Sequence, residues 1–326
     1  MSEVLCNVQG LKKYFPVREG ILSRTVAHVH AVDDVTFEIR REETLGLVGE
    51  SGCGKTTVGK CILRLIPSTA GKIVFEGRNL FELNKQQLQA FRRQTAMIFQ
   101  DPYSSLNPRM TAGNNIGEPV TIHRVAGGQK KRDIVLELLE KVGLKPQHAS
   151  RYPHEFSGGQ MQRIAIARAL ALKPNLVVAD EPVAALDVSI RAGILNLMKD
   201  LQNEIGLSYL FISHDLSVVR YLCDRVIVMY LGKLVEIGDT DKVFYRPLHP
   251  YTRALISAVP VPDPTIRREI IILPGKVPTP IDPPPGCRFK SRCPHAQPIC
   301  SKEEPLLMEI SSGHFVACHF ALESEV

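Results

Sequence analysis

A glycine-rich run, GESGCGKTT at 49–57, stands directly behind the apolar stretch TLGLV at 44–48. This juxtaposition constrains the fold more than any other feature of the chain. A short, uninterrupted apolar run is what a parallel strand buried on both faces looks like. The spacing G-x-x-x-x-G-K-[ST] then leads that strand into a helix through a loop whose backbone N–H groups turn inward as a nest for phosphates. The residues assigned to this nucleotide site are Gly49, Glu50, Ser51, Gly52, Cys53, Gly54, Lys55, Thr56 and Thr57. Lys55 is expected on the β- and γ-phosphates and the Thr56 hydroxyl on Mg²⁺, with the N-terminus of the following helix aimed at the anion.

The same strand pattern recurs at NLVVAD (175–180) and SYLFIS (208–213), with helical stretches at 160–172 and 190–204 between them. VTFEIR (35–40) alternates like a half-buried strand, and RVIVMYLGKLVEIGD (225–239) reads as strand–turn–strand. Strands alternating with helices predict a doubly wound α/β core. Between Gln100 and Ser157 the pattern turns helical and polar, clearest at 132–144, and predicts an inserted helical subdomain at about 101–165. Nine prolines between Pro260 and Pro285 predict an extended connector, so the domain boundary is placed near 245. The expected division is a nucleotide-binding domain at 1–245 and a C-terminal extension at 246–326.

Two adjacent carboxylates, Asp180 and Glu181, end the apolar run at 176–180. Asp180 can hold a Mg²⁺ shell and Glu181 can polarise an attacking water. His214 follows the strand 208–213, so Lys55, Glu181 and His214 all stand just past strand C-termini, where α/β sheets bind ligands. FSGGQ at 156–160 lacks the lysine that a phosphate cradle would want, yet it opens a helix and so offers an anion-binding N-terminus.

Composition narrows the setting. With 326 residues, 44% of them hydrophobic, the chain can bury one large core or two smaller ones. The net charge is +6 and the longest basic run is Lys130-Lys131-Arg132, which argues against a nucleic-acid partner. The N-terminal residues lack the apolar core of a signal peptide. No run approaches the eighteen apolar residues of a membrane span. The expected compartment is the cytosol, where stable disulfides are rare. Cys6, Cys53, Cys61 and Cys223 lie far apart and read as isolated thiols.

The other four of the eight cysteines, Cys287, Cys293, Cys300 and Cys318, fall as C-x5-C-x6-C-x17-C. Four thiolates so placed suit a tetrahedral Zn²⁺ or an iron–sulfur cluster. His295, His314 and His319 keep a mixed Cys/His zinc site open, so residue chemistry alone leaves the two metals level. A segment this short and proline-rich needs a staple to stay folded.

Taken in order, the loop 49–56, Gln100 in IFQDP, SGGQMQRIAIARAL from Ser157, Asp180-Glu181, AALD at 184–187 and His214 resemble ATP-binding cassette (ABC) ATPases over residues 1 to about 245. QDPYSSLNPRMT (100–111) and YRPLHPYTRALISAVP (245–260) resemble, more narrowly, the ATPase subunits of bacterial and archaeal dipeptide/oligopeptide importers. The resemblance implies a P-loop NTPase cassette with a helical subdomain and a small cysteine-bearing C-terminal domain. It implies ATP hydrolysis coupled to peptide import, with nickel or another small solute as the alternative cargo and a soluble non-transport ATPase as a further alternative. It implies that two cassettes, identical or homologous, pack head to tail. Ser157, Gly158, Gly159 and Gln160 of one then cap the ATP on the P-loop of the other, with Asp187 on the adjoining loop. Gln100 contacts Mg²⁺ and water, and Phe15, or alternatively Tyr14, stacks on adenine. The implied partners are two transmembrane permease subunits and an extracytoplasmic solute-binding protein, with the chain peripheral on the cytoplasmic face of the membrane. Relatives carry a [4Fe–4S] cluster in a segment resembling CRFKSRCP, which favours the cluster over zinc. Two positions depart from the family pattern. Met161 replaces a polar or basic residue, and Ala184 replaces Ser or Thr on the loop that reaches the opposite P-loop, leaving open whether both sites hydrolyse equally.

Overall fold

The computed structural model describes residues 3–20, 23–260 and 269–321. Its strands are β1 (Val4–Glu19), β2 (Arg24–Arg40), β3 (Thr44–Val48), β4 (Ala70–Phe75), β5 (Arg78–Asn79), β6 (Thr95–Ile98), β7 (Leu176–Asp180), β8 (Ser208–Ser213), β9 (Arg225–Tyr230), β10 (Lys233–Asp239), β11 (Met308–Ser311) and β12 (His314–Val316). Two compact units emerge, each assembled from separate stretches of sequence.

One unit comprises Val4–Ile39, Thr44–Phe81 and Ile212–Val326. Its first sheet runs β2-β1-β4-β5, with β1 antiparallel to β4 and Cys6 opposite Phe75. Its second runs β11-β12-β10-β9-β3. Strand β3 is buried at all five positions and lies parallel to β9, Leu45 opposite Arg225 and Val48 opposite Val228. Both strands read as apolar runs because both of their faces are covered. β9 returns as β10 through Leu231 (φ 42°) and Gly232 (φ 81°), two left-handed residues whose twist suits a tight hairpin.

The C-terminal stretch continues this sheet. β12 pairs antiparallel with β10, Glu236 opposite Val316, and β11 adds a further edge. The described residues 269–285 of the proline-rich connector carry no helix and are pinned along β2. His30 N–H donates to Pro280 O (2.9 Å), Asp282 N–H donates to His28 O (3.0 Å), and Val29 bridges Ile281. Its residues 261–268 lie outside the described residues.

The other unit comprises Met1–Glu3, Arg40–Glu43 and Glu82–Phe211. Here β8, β7 and β6 lie side by side in that order, with β6 parallel to β7. The helices Ala112–Ile122, Gly128–Lys141 and Gly158–Leu170 pack on one another. The last of these starts two residues before the expected 160 because Ser157 caps it. The Ser157 side chain accepts from Gln160 N–H (3.4 Å) while the Gln160 amide oxygen accepts from Ser157 N–H (3.1 Å). It ends at Leu170, where Lys173 (φ 53°) and Pro174 forbid another turn. The helix expected at 190–204 runs Val188–Ile205 and stops at the left-handed Gly206. The helix expected at 132–144 runs Gly128–Lys141.

Candidate functional site

Strand β3 delivers the loop 49–54 into the helix Lys55–Ile62, as its sequence predicts. Gly54 shows why the glycine spacing matters. Its φ is 108°, and a Cβ there would meet Ala31 O at 2.0 Å, so any side chain would push the loop open. Lys55 is 5% exposed, and its ammonium donates to Gly49 O (2.7 Å) and Glu50 O (3.0 Å). Its three donors therefore face the concave side of its own loop. Cys53 is buried with its sulfur 3.8 Å from the Lys55 ammonium. Burial raises the Cys53 thiol, and Lys55 pulls the other way. Thr56 and Thr57 lie in the first turn of the helix.

In the same unit, Tyr14 and Phe15 have different surroundings. Tyr14 stacks on His30 (centroids 4.1 Å apart, 24° between planes) and its hydroxyl donates to Asp33 (2.5 Å). Asp33 also receives Arg288 (2.5 Å) and Lys233 (3.4 Å). Burial alone would raise the Asp33 carboxyl; the Tyr14 hydrogen bond and the two cations overcome it and hold the group below the usual carboxylate range. Tyr14 is thus committed within the protein. Phe15 is 38% exposed, with the Lys13 ammonium 4.8 Å from its ring centre. His214 is exposed, immediately after β8 and just before Asp215, which caps the helix Leu216–Leu222.

In the other unit the structure joins two residues that the sequence separates by 81 positions. The Gln100 side-chain amide donates to the Glu181 carboxylate at 2.9 Å. Asp180 is buried at the end of β7, and Glu181 follows it in a left-handed conformation (φ 49°) that costs a non-glycine residue about 1–2 kcal/mol. Backbone strain of this kind concentrates at sites of chemistry. Gly158 and Gly159 begin the helix capped by Ser157. A Cβ on Gly159 would meet the Ile190 side chain at 2.4 Å, so this glycine is required for close packing behind the helix end. Asp187 begins the helix Val188–Ile205, and Ala184 is exposed ahead of it. Met161 is fully buried, so the departure at that position is absorbed in the core rather than displayed.

All eight cysteines are free. Cys287, Cys293, Cys300 and Cys318 border one cavity of about 20 Å³, together with His295 and His319. His314 is elsewhere, buried against Glu236 at 2.7 Å. Burial pushes the Cys287 thiol up to about 11; the Phe289 N–H pointed at its sulfur works against this, and Cys300, Cys318 and Cys293 reinforce it. Burial likewise raises the Cys293 and Cys318 thiols, with the His295 and Phe320 backbone N–H groups working against it. Among the described residues, no three His, Cys, Asp or Glu side chains converge on a single ion-sized point.

Sequence reasoning left several residues around the loop unassigned. His249-Pro250-Tyr251, quoted only within a resemblance, opens the helix Pro250–Ser257. Burial pushes the His249 imidazole down to about 4, so it is neutral, and its Nδ1 accepts the Tyr251 N–H at 3.0 Å. Buried Glu236 accepts both the Leu248 and the His249 N–H (2.8 and 2.9 Å). Phe289, 1% exposed, wedges among Tyr230, Tyr251 and His249, a burial worth about 2 kcal/mol.

Two family models match the chain: "ABC transporter" over residues 32–184 and "Oligopeptide/dipeptide transporter, C-terminal region" over 235–300. The chain is 52% identical to the oligopeptide transport ATP-binding protein AppF of Bacillus subtilis, over 98% of both chains. It is 49% identical to the dipeptide transport ATP-binding protein DppF of Haemophilus influenzae, over 96% of both. Among solved structures it superposes on the dimeric ATP-binding cassette MJ0796 in a post-hydrolysis state with ADP and Pi, at TM-score 0.64 and 29% identity, over 72% of this chain and 98% of that one.

Proposed function

The chain belongs to the ATP-binding subunits of oligopeptide and dipeptide ABC transporters, and from that premise we propose how its residues hydrolyse ATP to drive peptide import. The observation that carries the reading is the match to an oligopeptide transport ATP-binding protein along 98% of both chains, C-terminal region included. It is tested by peptide uptake that depends on hydrolysis: the chain should support it, and a variant lacking the general base should not.

In this reading the N–H groups of 49–57 cradle the phosphates and the Lys55 ammonium moves from its loop carbonyls to the β- and γ-oxygens. Phe15 takes the adenine, because its face is exposed while Tyr14 is held by His30 and Asp33. Thr56, Asp180 and Gln100 would hold Mg²⁺, which neutralises charge on the phosphoryl oxygens. Their hydroxyl, carboxylate and amide oxygens are the hard donors this ion prefers. Glu181 accepts a proton from water as the water oxygen bonds to the γ-phosphorus and the bond to the ADP oxygen breaks. The Gln100 amide keeps the Glu181 carboxylate in place for that step. His214 donates to the γ-phosphate. Ser157, Gly158, Gly159 and Gln160 offer a capped, lysine-free helix N-terminus to the ATP of a second cassette, identical or homologous, beside its Asp187 loop.

The functional division proposed is a cassette at 1–245, with its helical subdomain at about 101–165, and an extension at 246–326. Among the described residues no helix is long and apolar enough to cross a membrane. Two transmembrane permease subunits and an extracytoplasmic solute-binding protein would therefore complete the importer, with this chain peripheral on the cytoplasmic face.

For the four thiols of the extension, which line one cavity, the reading taken from the family resemblance is a [4Fe–4S] cluster, with zinc as the alternative. Amide N–H groups aimed at sulfur are a recurring way of stabilising cluster thiolates. Cys287, Cys293, Cys300 and Cys318 would hold the cluster, and its contribution would be to staple the segment. Protein purified without oxygen should be brown, absorb broadly near ~400 nm and hold about four irons per chain. A colourless sample with one zinc per chain would replace the cluster with zinc, and a metal-free sample would eliminate both.

A further inference from the structure

The second residue of the phosphate loop is an acid. A carboxylate in a loop that must hold a polyphosphate repels its ligand unless a cation accompanies it. Glu50 has one, supplied from 242 residues away. Arg292 Nη1 donates to both Glu50 carboxylate oxygens (3.1 and 2.9 Å), and the arginine side chain is only 10% exposed. The guanidinium lies 5.9 Å from the Tyr230 ring centre. Its backbone is fixed by the turn in which Arg292 N–H donates to Phe289 O, one residue before Cys293.

The Glu50 main chain is held from the same side. Its N–H donates to the hydroxyl of Tyr251, which is fully buried, and its carbonyl accepts the Lys55 ammonium (2.9 and 3.0 Å). Contact therefore passes from the cysteine-bearing segment through Glu50 to Lys55. The Arg292 guanidinium serves Glu50 alone among the described carboxylates.

We infer that Arg292 is a positioning residue of the ATP site: it cancels the Glu50 charge and, with Tyr251, fixes the peptide that seats Lys55, so that the cysteine-bearing segment forms part of the nucleotide-binding apparatus. The inference rests on the reading of 49–57 as an ATP site. It assigns the extension a task in ATP affinity rather than in the chemical step.

The test is equilibrium binding of MgATP to the full-length chain, paired with steady-state hydrolysis. Arg292→Ala should weaken ATP binding and raise KM roughly ten- to a hundred-fold, the worth of a hydrogen bond to a charged group, with kcat at saturating ATP changed little. Arg292→Lys should recover part of the loss. Glu50→Gln in the Arg292→Ala background should recover most of it, because no charge is then left to cancel. Wild-type affinity in Arg292→Ala would overturn the inference, as would an affinity loss that Glu50→Gln fails to repair. If Arg292→Ala does not fold, Arg292→Lys decides: it should bind ATP more weakly than wild type with kcat at saturating ATP little changed, and wild-type affinity would overturn the inference. Lys55→Ala separates the two levels. Loss of binding there beside normal binding in Arg292→Ala would sink only the inference, while normal binding in Lys55→Ala would sink the ATP-site reading beneath it.

Discussion

Glu181→Gln should leave MgATP binding intact while turnover falls by ~10²–10⁴, the usual worth of a general base. The substitution changes little else. Glutamine matches the size of the side chain and can keep its oxygen on the Gln100 amide, now 2.9 Å from the Glu181 carboxylate. The left-handed backbone at 181 imposes the same strain on either residue. What disappears is the carboxylate's capacity to take a proton from water. A cassette that binds ATP without cleaving it should accumulate as a closed pair, visible as a nucleotide-dependent dimer by gel filtration. Near-normal hydrolysis in this variant would move the base to another residue.

A second large effect concerns assembly. Ser157 is exposed at the start of its helix, so Ser157→Arg should fold while blocking whatever approaches that helix end. In a self-paired cassette, Ser157→Arg and Lys55→Ala should each abolish hydrolysis alone. Mixed, they should restore roughly a quarter of wild-type activity: random pairing makes half of the dimers mixed, and in a two-fold head-to-tail pair both defects then fall on one composite site. A mixture as inactive as either parent, with both variants folded and ATP cooperativity weak, would contradict head-to-tail packing.

The cassette was legible in the sequence where its signals are local. The largely apolar runs at 44–48, 176–180 and 208–213 are strands buried at every position, because both of their faces are covered. The glycine spacing at 49–54 carries its own steric reason, and Ser157 with Gln160 spells its own cap. Helix limits were less legible, since they are set by residues such as Lys173 and Gly206 that bear no hydrophobic pattern. Tyr14 and Phe15 are adjacent aromatics that local pattern does not separate, whereas their side-chain surroundings differ. The long-range contacts left no trace at all. Nothing near Glu50 announces Arg292 or Tyr251, and nothing in the proline run announces that Pro280–Asp282 lies along His28–His30. Pairings across more than two hundred residues depend on tertiary packing, and one sequence read by local pattern does not display them.

The departures at Met161 and Ala184 have different physical standing. Met161 is buried and serves packing. Ala184 is exposed beside the Asp187 loop, which leaves it available to a second cassette. A methyl group there cannot supply the hydroxyl of the Ser or Thr that the family pattern has at this position.

The central claim is that ATP hydrolysis by this chain drives peptide import. Its most direct test is accumulation of a labelled tripeptide by cells in which this chain is the sole source of the importer's ATPase. Cells carrying the wild-type chain should concentrate the peptide, and cells carrying equal amounts of Glu181→Gln should not. Equal accumulation in both, or none in either when permease and binding protein are present, would contradict the account.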